Sequence, residues 1–162
     1  MVTKEEMKKF GTTNVSKEPV ASFHVTAEEM RRFAVNAELN NRVYNIITEY
    51  TKKHNIKPKY EGIEDRCQLS ASALKKSCAG TIRITRLFLY KLTVGLQIDL
   101  NEANELFALC GGPLNEHSPE DYICIKALID KDDINHFIDQ FNEFVKEYDH
   151  LQEGDKLKKL KY

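Results

Sequence analysis

No run of about 18 apolar residues, the length a helix needs to cross a bilayer, occurs anywhere in this sequence. The opening MVTKEEMKKF also lacks the apolar core of a secretory signal. The chain is therefore expected to be cytoplasmic and to have no membrane partner. Cysteine is sparse, and Cys67, Cys78, Cys110 and Cys124 are widely spaced inside apolar or helical patterns. In a reducing compartment they read as small buried hydrophobes, so no disulfide is expected.

Catalytic signatures are missing as well. The sequence has no GxxxxGKS to cradle phosphate, no HExxH and no GxSxG. His117, His136 and His150 share no i, i+4 spacing, and no CxxC pair is present, so neither a local metal site nor a Cys–His nucleophile pair is assembled. Gly111-Gly112 reads as a helix stop rather than an anion loop. His24 and His54 fall near predicted helix ends, where a solvated histidine is unremarkable. The expectation is a non-enzyme with no metal and no cofactor.

What is present is enough apolar mass for one core plus appendages: 162 residues, 41% hydrophobic and 30% charged. The net charge of −1 conceals a division. Residues 52–98 carry ten Lys or Arg against Glu61, Glu64 and Asp65, a net of +7, whereas residues 99–145 carry eleven acids against Lys126 and Lys131, a net of −9. Such asymmetry suggests that one half faces a polyanion. The plainer alternative is chance clustering on solvated helices.

Periodicity reads as all-α, without a hairpin or a repeat. Thr26 and Glu29 have the spacing of a capping box and start a helix through Phe33; a separate segment carries Val43, Ile46, Ile47 and Tyr50 on one face. Leu89, Leu92 and Leu96 mark a helix ending near Ile98. Asp99 can cap the next, whose buried stripe is Ala103, Leu106, Phe107 and Cys110. Ser118-Pro119-Glu120-Asp121 signals another start, with serine as cap, proline at the first helical position and acids at the positive end of the dipole. Ile134, Phe137, Ile138, Phe141, Val145 and Tyr148 line a last helix. That stripe is expected to close the core, the favoured reading, or to pair with a second copy in a homodimer.

The stretch CQLSASALKKSCAG, residues 67–80, lies in the middle of the basic half. Ile63, Cys67, Leu69 and Leu74 fit two short helices joined by a tight turn at Gln68-Leu69, with Ser70 capping the second. On that second helix, 71–79, Ser72, Lys75, Lys76 and Ala79 fall on one outward face.

Three blocks carry a family resemblance: IEDRCQLSASALKKSCAG, the more specific FLYKLTVGLQIDLNEANELFALCGGPLN, and SPEDYICIKALIDKDDINHFIDQFNEF. From about Asn41 to Phe144 the chain resembles Cro and phage-repressor type (XRE-like) helix-turn-helix proteins. It is more similar still to small bacterial proteins in which that domain continues into an acidic helical extension. Three positions depart from the pattern. Glu64 stands where a small alanine usually packs, Gln68 where glycine usually makes the turn, and Ser77 where an aliphatic residue usually anchors the recognition helix. Gln68 can replace glycine only if the turn avoids or tolerates a positive φ.

The resemblance implies a compact helix-turn-helix domain over 39–98. An arm of residues 1–38 with one helix precedes it, and an acidic extension, 99–148, and a mobile tail, 149–162, follow. The recognition helix enters the major groove. Ser70 and Ser72 donate to phosphate or a base, Lys75 and Lys76 reach guanine edges or the backbone, and Arg83 and Arg86 clamp phosphates. Only Gln68 offers an amide for adenine. The function implied is a DNA-binding transcriptional regulator of bacterial or phage type, with duplex DNA as partner. The alternative is a protein-interaction module on the same scaffold, gripping a nucleic-acid-binding protein whose DNA groove the acidic half fits.

Overall fold

The computed structural model describes residues 25–151 and Leu160. Among them there are seven α-helices and no strand: α1 Ala27–Lys53, α2 Glu64–Cys67 entered through a 3-10 turn at Glu61–Ile63, α3 Ala71–Ala79, α4 Arg86–Gly95, α5 Leu100–Ala108, α6 Pro119–Asp130 and α7 Ile134–Leu151. The fold is all-α. The chain divides into two compact units, 1–35 and 36–162.

In the first unit the described residues open α1. Thr26 and Glu29 form the reciprocal capping box, with Glu29 N donating to Thr26 Oγ1 and Thr26 N donating to Glu29 Oε2, each at 3.1 Å. The helix does not stop at Phe33. Where periodicity predicts two segments, α1 is one helix of 27 residues. The intervening AVNAELNNR holds neither Gly nor Pro and includes Ala34, Ala37, Glu38 and Leu39, so nothing in it breaks the ladder. Residues 1–24 of the expected arm lie outside the described residues.

In the second unit α4 is central. It packs against α2, α5, α6 and α7, and every residue from Phe88 to Val94 is buried, the pattern of a helix enclosed on all sides. The basic and acidic halves of the sequence therefore share one core. Gly95 permits the close approach of α4 to α2, since a Cβ there would lie 2.4 Å from Arg66 O and 2.7 Å from Cys67 Cα. Phe107 of α5, Cys124 of α6, and Phe137, Phe141 and Val145 of α7 complete the interior. The Tyr90 ring lies 5.4 Å from that of Phe107 and 5.8 Å from that of Phe141, within the range where tilted rings attract. The apolar stripe of α7 thus belongs to the core of its own chain.

Caps fix the helix starts, with one correction. Asp99 Oδ2 accepts from Asn101 N at 3.1 Å to open α5, and Asp133 Oδ1 accepts from His136 N at 2.9 Å to open α7. Ser118 sits at the N-cap of α6 ahead of Pro119, but its hydroxyl makes no capping bond. Asp121 does more than favour the dipole. It is buried and accepts from Arg86 Nη2 at 2.7 Å, from Asn115 N at 3.1 Å and from the Tyr90 hydroxyl.

Of the tail expected from 149 onward, the structure describes the end of α7 and Leu160. α7 continues to Leu151, and Leu160 is only 4% exposed. The Asn142 side chain holds both backbone groups of Leu160, donating from Nδ2 to its carbonyl at 2.8 Å and accepting from its N–H at 2.7 Å. Residues 152–159, 161 and 162 lie outside the described residues. No helix among the described residues is long and apolar enough to cross a membrane. All four cysteines are free thiols.

Candidate nucleic-acid interface

Gln68, Leu69 and Ser70 join α2 to α3. Gln68 adopts φ 53° and ψ 41°, the left-handed conformation that glycine usually supplies at such a turn. That conformation costs a residue with a Cβ on the order of 1 kcal/mol. Two local bonds offset it: Gln68 Nε2 donates to Asp65 O at 3.1 Å, and Leu69 N donates to Glu64 O at 3.3 Å. Ser70 Oγ then accepts from Ala73 N at 3.1 Å and caps α3. Gly80, at φ 76°, ends the helix.

α3 is seated on the core by Leu74 and Ser77, both buried. Ser72, Lys75, Lys76 and Ala79 are all exposed on its outer side, as the helical spacing predicts. Ser77 is 1% exposed, and its Oγ has no hydrogen-bond partner among the described residues. Glu64 is half-buried at the start of α2.

The cations around α3 fall into two groups. Lys75 is paired: its Nζ lies 2.7 Å from Glu61 Oε1, and this hydrogen bond holds the Glu61 carboxyl below its ordinary range. Lys59 donates to Thr48 Oγ1 at 3.0 Å and lies 4.6 Å above the Tyr44 ring. Arg66 donates to the Tyr50 hydroxyl at 2.7 Å. By contrast, the side chains of Lys52, Lys53, Lys57, Lys76 and Arg83 are exposed and make no hydrogen bond or ion pair among the described residues. The Tyr60 ring centroid lies 5.9 and 6.0 Å from the ammonium groups of Lys59 and Lys75. Burial, reinforced by a hydrogen bond with Cys78, pushes the Tyr60 phenol up to about 12.

Arg86 departs from its predicted role. Its Nη1 donates to Cys110 O at 2.6 Å and to Gly112 O at 2.7 Å, while Nη2 binds Asp121. With its side chain 26% exposed, Arg86 fastens the start of α4 to the loop between α5 and α6. Held by these internal partners, it is not a free surface cation like Arg83. Lys91, counted in the basic half, is buried and adds nothing to the positive surface; burial lowers its pKa.

Ser72, Lys75, Lys76 and Ser70 are therefore brought together by α3, with Arg83 on the segment that follows it. Glu61 and Tyr60 are residues that spacing does not single out. Glu61 meets Lys75 across 14 positions, far beyond the three- or four-residue reach of helical neighbours. Among the described residues no three His, Cys, Asp or Glu side chains gather closely enough to hold a metal ion. A scan of family models, a search of curated proteins and a search of solved structures each return no match to this chain.

Proposed function

We propose that this chain is a helix-turn-helix DNA-binding protein, a cytoplasmic transcriptional regulator of the XRE-like type, and not an enzyme. One observation carries the reading. α3, capped by Ser70 and seated by Leu74 and Ser77, presents Ser72, Lys75 and Lys76 to solvent from a turn held by Gln68. A short helix whose outer face is positive and free of bulky apolar groups suits the major groove. Ser72 and the lysines meet base edges and phosphates there, the Ser70 hydroxyl proton remains available to phosphate, and Arg83 holds the backbone beyond the helix. The acidic residues after Asp99 point away from DNA, because phosphates repel them within a Debye length of about 8 Å.

The test is binding to random-sequence duplex DNA as a function of salt. Log affinity falls linearly with log salt, and reversing Lys75 and Lys76 to Glu removes binding while leaving the helical circular dichroism unchanged. Removal of one lysine–phosphate pairing lowers the salt slope by about one. Unchanged affinity in the reversed variant overturns the reading.

The protein-interaction module is favoured by one observation of its own, the exposure of Tyr122 and Ile129 in the acidic half. Under it the wild-type chain has no salt-dependent affinity for duplex DNA.

A further inference from the structure

The positive surface does not end at α3. Between Asn41 and Tyr60 the chain carries Arg42, Lys52, Lys53, Lys57 and Lys59 against Glu49 as the only acid. Arg42 is taken up by Glu38 and Glu105. Tyr44, Thr48 and Lys52 follow one another at four-residue spacing and so share one stripe of α1, while Glu49 and Lys53 lie together on the next stripe and offset each other. Three contacts join the Tyr44 stripe to α3. A Cβ on Gly80, at the end of α3, would lie 2.9 Å from Asn40 Nδ2, so α1 passes against that end. Lys59 donates to Thr48 Oγ1 and stands over the Tyr44 ring. The neighbouring Tyr60 ring centroid lies within 6.0 Å of the ammonium groups of both Lys59 and Lys75, and the Tyr60 hydroxyl is hydrogen-bonded with Cys78 of α3. The stripe of α1, the 57–60 segment and the exposed side of α3 are therefore contiguous. Among the residues that join them the one acid is Glu61, and it is paired with Lys75.

We propose that this flank of α1 holds the phosphate backbone of duplex DNA beside the groove that α3 enters, with Lys52, Lys57 and Lys59 as phosphate contacts and the Tyr44 hydroxyl as a donor. The inference rests on the DNA-binding reading of α3 and extends its contact surface to a second element. Charge selects a polyanion. Lys52 and Lys57 are exposed and have no partner among the described residues to give up, and Thr48 occupies only one of the three donors of the Lys59 ammonium. The aromatic groups favour phosphate over unstacked bases. Stacking uses open ring faces, whereas Lys59 stands over one face of Tyr44, and the Tyr60 ring has two ammonium groups within cation–π range. What Tyr44, 42% exposed, offers outward is its hydroxyl. Hydroxyls and lysines that track the backbone fix the register of a reading helix without carrying sequence information.

Fluorescence anisotropy of the full chain with a labelled random-sequence duplex, read across a salt series, tests it. Lys52→Gln combined with Lys57→Gln is expected to lower the slope of log affinity on log salt by about two and to weaken binding at low salt at least about tenfold. Helical circular dichroism and melting temperature are expected to stay unchanged, because both side chains are exposed. Lys52→Arg combined with Lys57→Arg keeps the charges and is expected to retain the slope, which separates a loss of charge from a change in local structure. Tyr44→Phe is expected to weaken binding about threefold to tenfold at unchanged slope, the effect of one hydrogen bond. Lys126→Gln, the same change of charge in the acidic half, is expected to alter neither. A wild-type chain without salt-dependent affinity overturns the DNA-binding reading of α3 and this inference with it. Salt-dependent affinity that the Lys75 and Lys76 reversal removes, with a slope that the Lys52 and Lys57 neutralisation leaves unchanged, overturns this inference alone. Tighter binding of a single strand than of the duplex, lost in Tyr44→Ala, overturns it in favour of base stacking.

Discussion

The Lys75 ammonium lies 2.7 Å from a carboxylate oxygen of Glu61, so a central cation of the exposed face of α3 already has an anionic partner within its own motif. Both side chains are about half exposed, and such pairs contribute little to stability. Under the proposed DNA-binding function, a phosphate approaching Lys75 must displace Glu61 and meets its negative charge. Glu61→Gln is therefore expected to raise affinity for duplex DNA roughly threefold to tenfold without moving the melting temperature. Fluorescence anisotropy with a labelled duplex reads this directly, and a loss of affinity would mean that Glu61 positions Lys75 instead. The pH dependence has a defined sign. Because the folded carboxyl is held low by the Lys75 hydrogen bond, the pair's small stabilisation is present above the unfolded carboxylate pKa and fades as pH falls through the folded value.

Ser77 leaves a buried hydroxyl unpaired. Such a group costs more than the apolar atom that could replace it, and alanine is also the better helix former. Ser77→Ala is expected to stabilise the protein by about 1 kcal/mol. Urea denaturation checks it through a higher midpoint at unchanged slope; a lower midpoint would show that the hydroxyl has a partner after all.

Asp121 joins Arg86, Tyr90 and the backbone of Asn115 in one buried network. Asp121→Ala is expected to cost about 3 kcal/mol, because it strands a half-buried guanidinium and a phenol. Arg86→Lys is not expected to be a conservative change, since an ammonium cannot bind the carboxylate and two loop carbonyls in the same fork. Burial, aided by the hydrogen bond to Asp121, raises the Tyr90 pKa. The stability this confers is complete below the unfolded tyrosine pKa and is lost as pH climbs toward the folded value. Ultraviolet titration is expected to show Tyr90 ionising only with unfolding, and Asp121→Ala to weaken that coupling while burial retains part of it.

The thiols divide by depth. Burial pushes Cys67 and Cys124 up to about 12 and raises Cys78 and Cys110 from half-buried positions. At about pH 8, below the ordinary thiol pKa, an alkylating reagent is expected to modify Cys78 and Cys110 slowly in the native chain. Cys67 and Cys124 are expected to react only after denaturation. Mass spectrometry of the labelled native protein distinguishes the sites, and rapid labelling of Cys67 would contradict its place under Gly95.

Much of the architecture is written within a few residues at a time. The capping box of Thr26 and Glu29, the caps at Ser70, Asp99 and Asp133, the proline start of α6 and the outward face of α3 all depend on partners two to four positions away. Propensity and periodicity operate at that range, so the all-α class and the turn between α2 and α3 were legible in the amino-acid order. The continuity of α1 was legible too, in the absence of any breaker between Phe33 and Val43, although periodicity alone divides it.

Distance along the chain marks what only the tertiary structure decided. Arg86 looks like Arg83 in sequence, three residues apart and equally basic. It turns inward because carbonyls 24 and 26 residues later and a carboxylate 35 residues later converge on it. Lys91 is buried because α4 is enclosed by four other helices, and Glu61 claims Lys75 because the turn before α2 folds beside α3. Local pattern determines which face of a helix is polar. Whether a charge on that face remains free for a partner is determined by which distant donors and acceptors the packed helices bring within hydrogen-bonding reach.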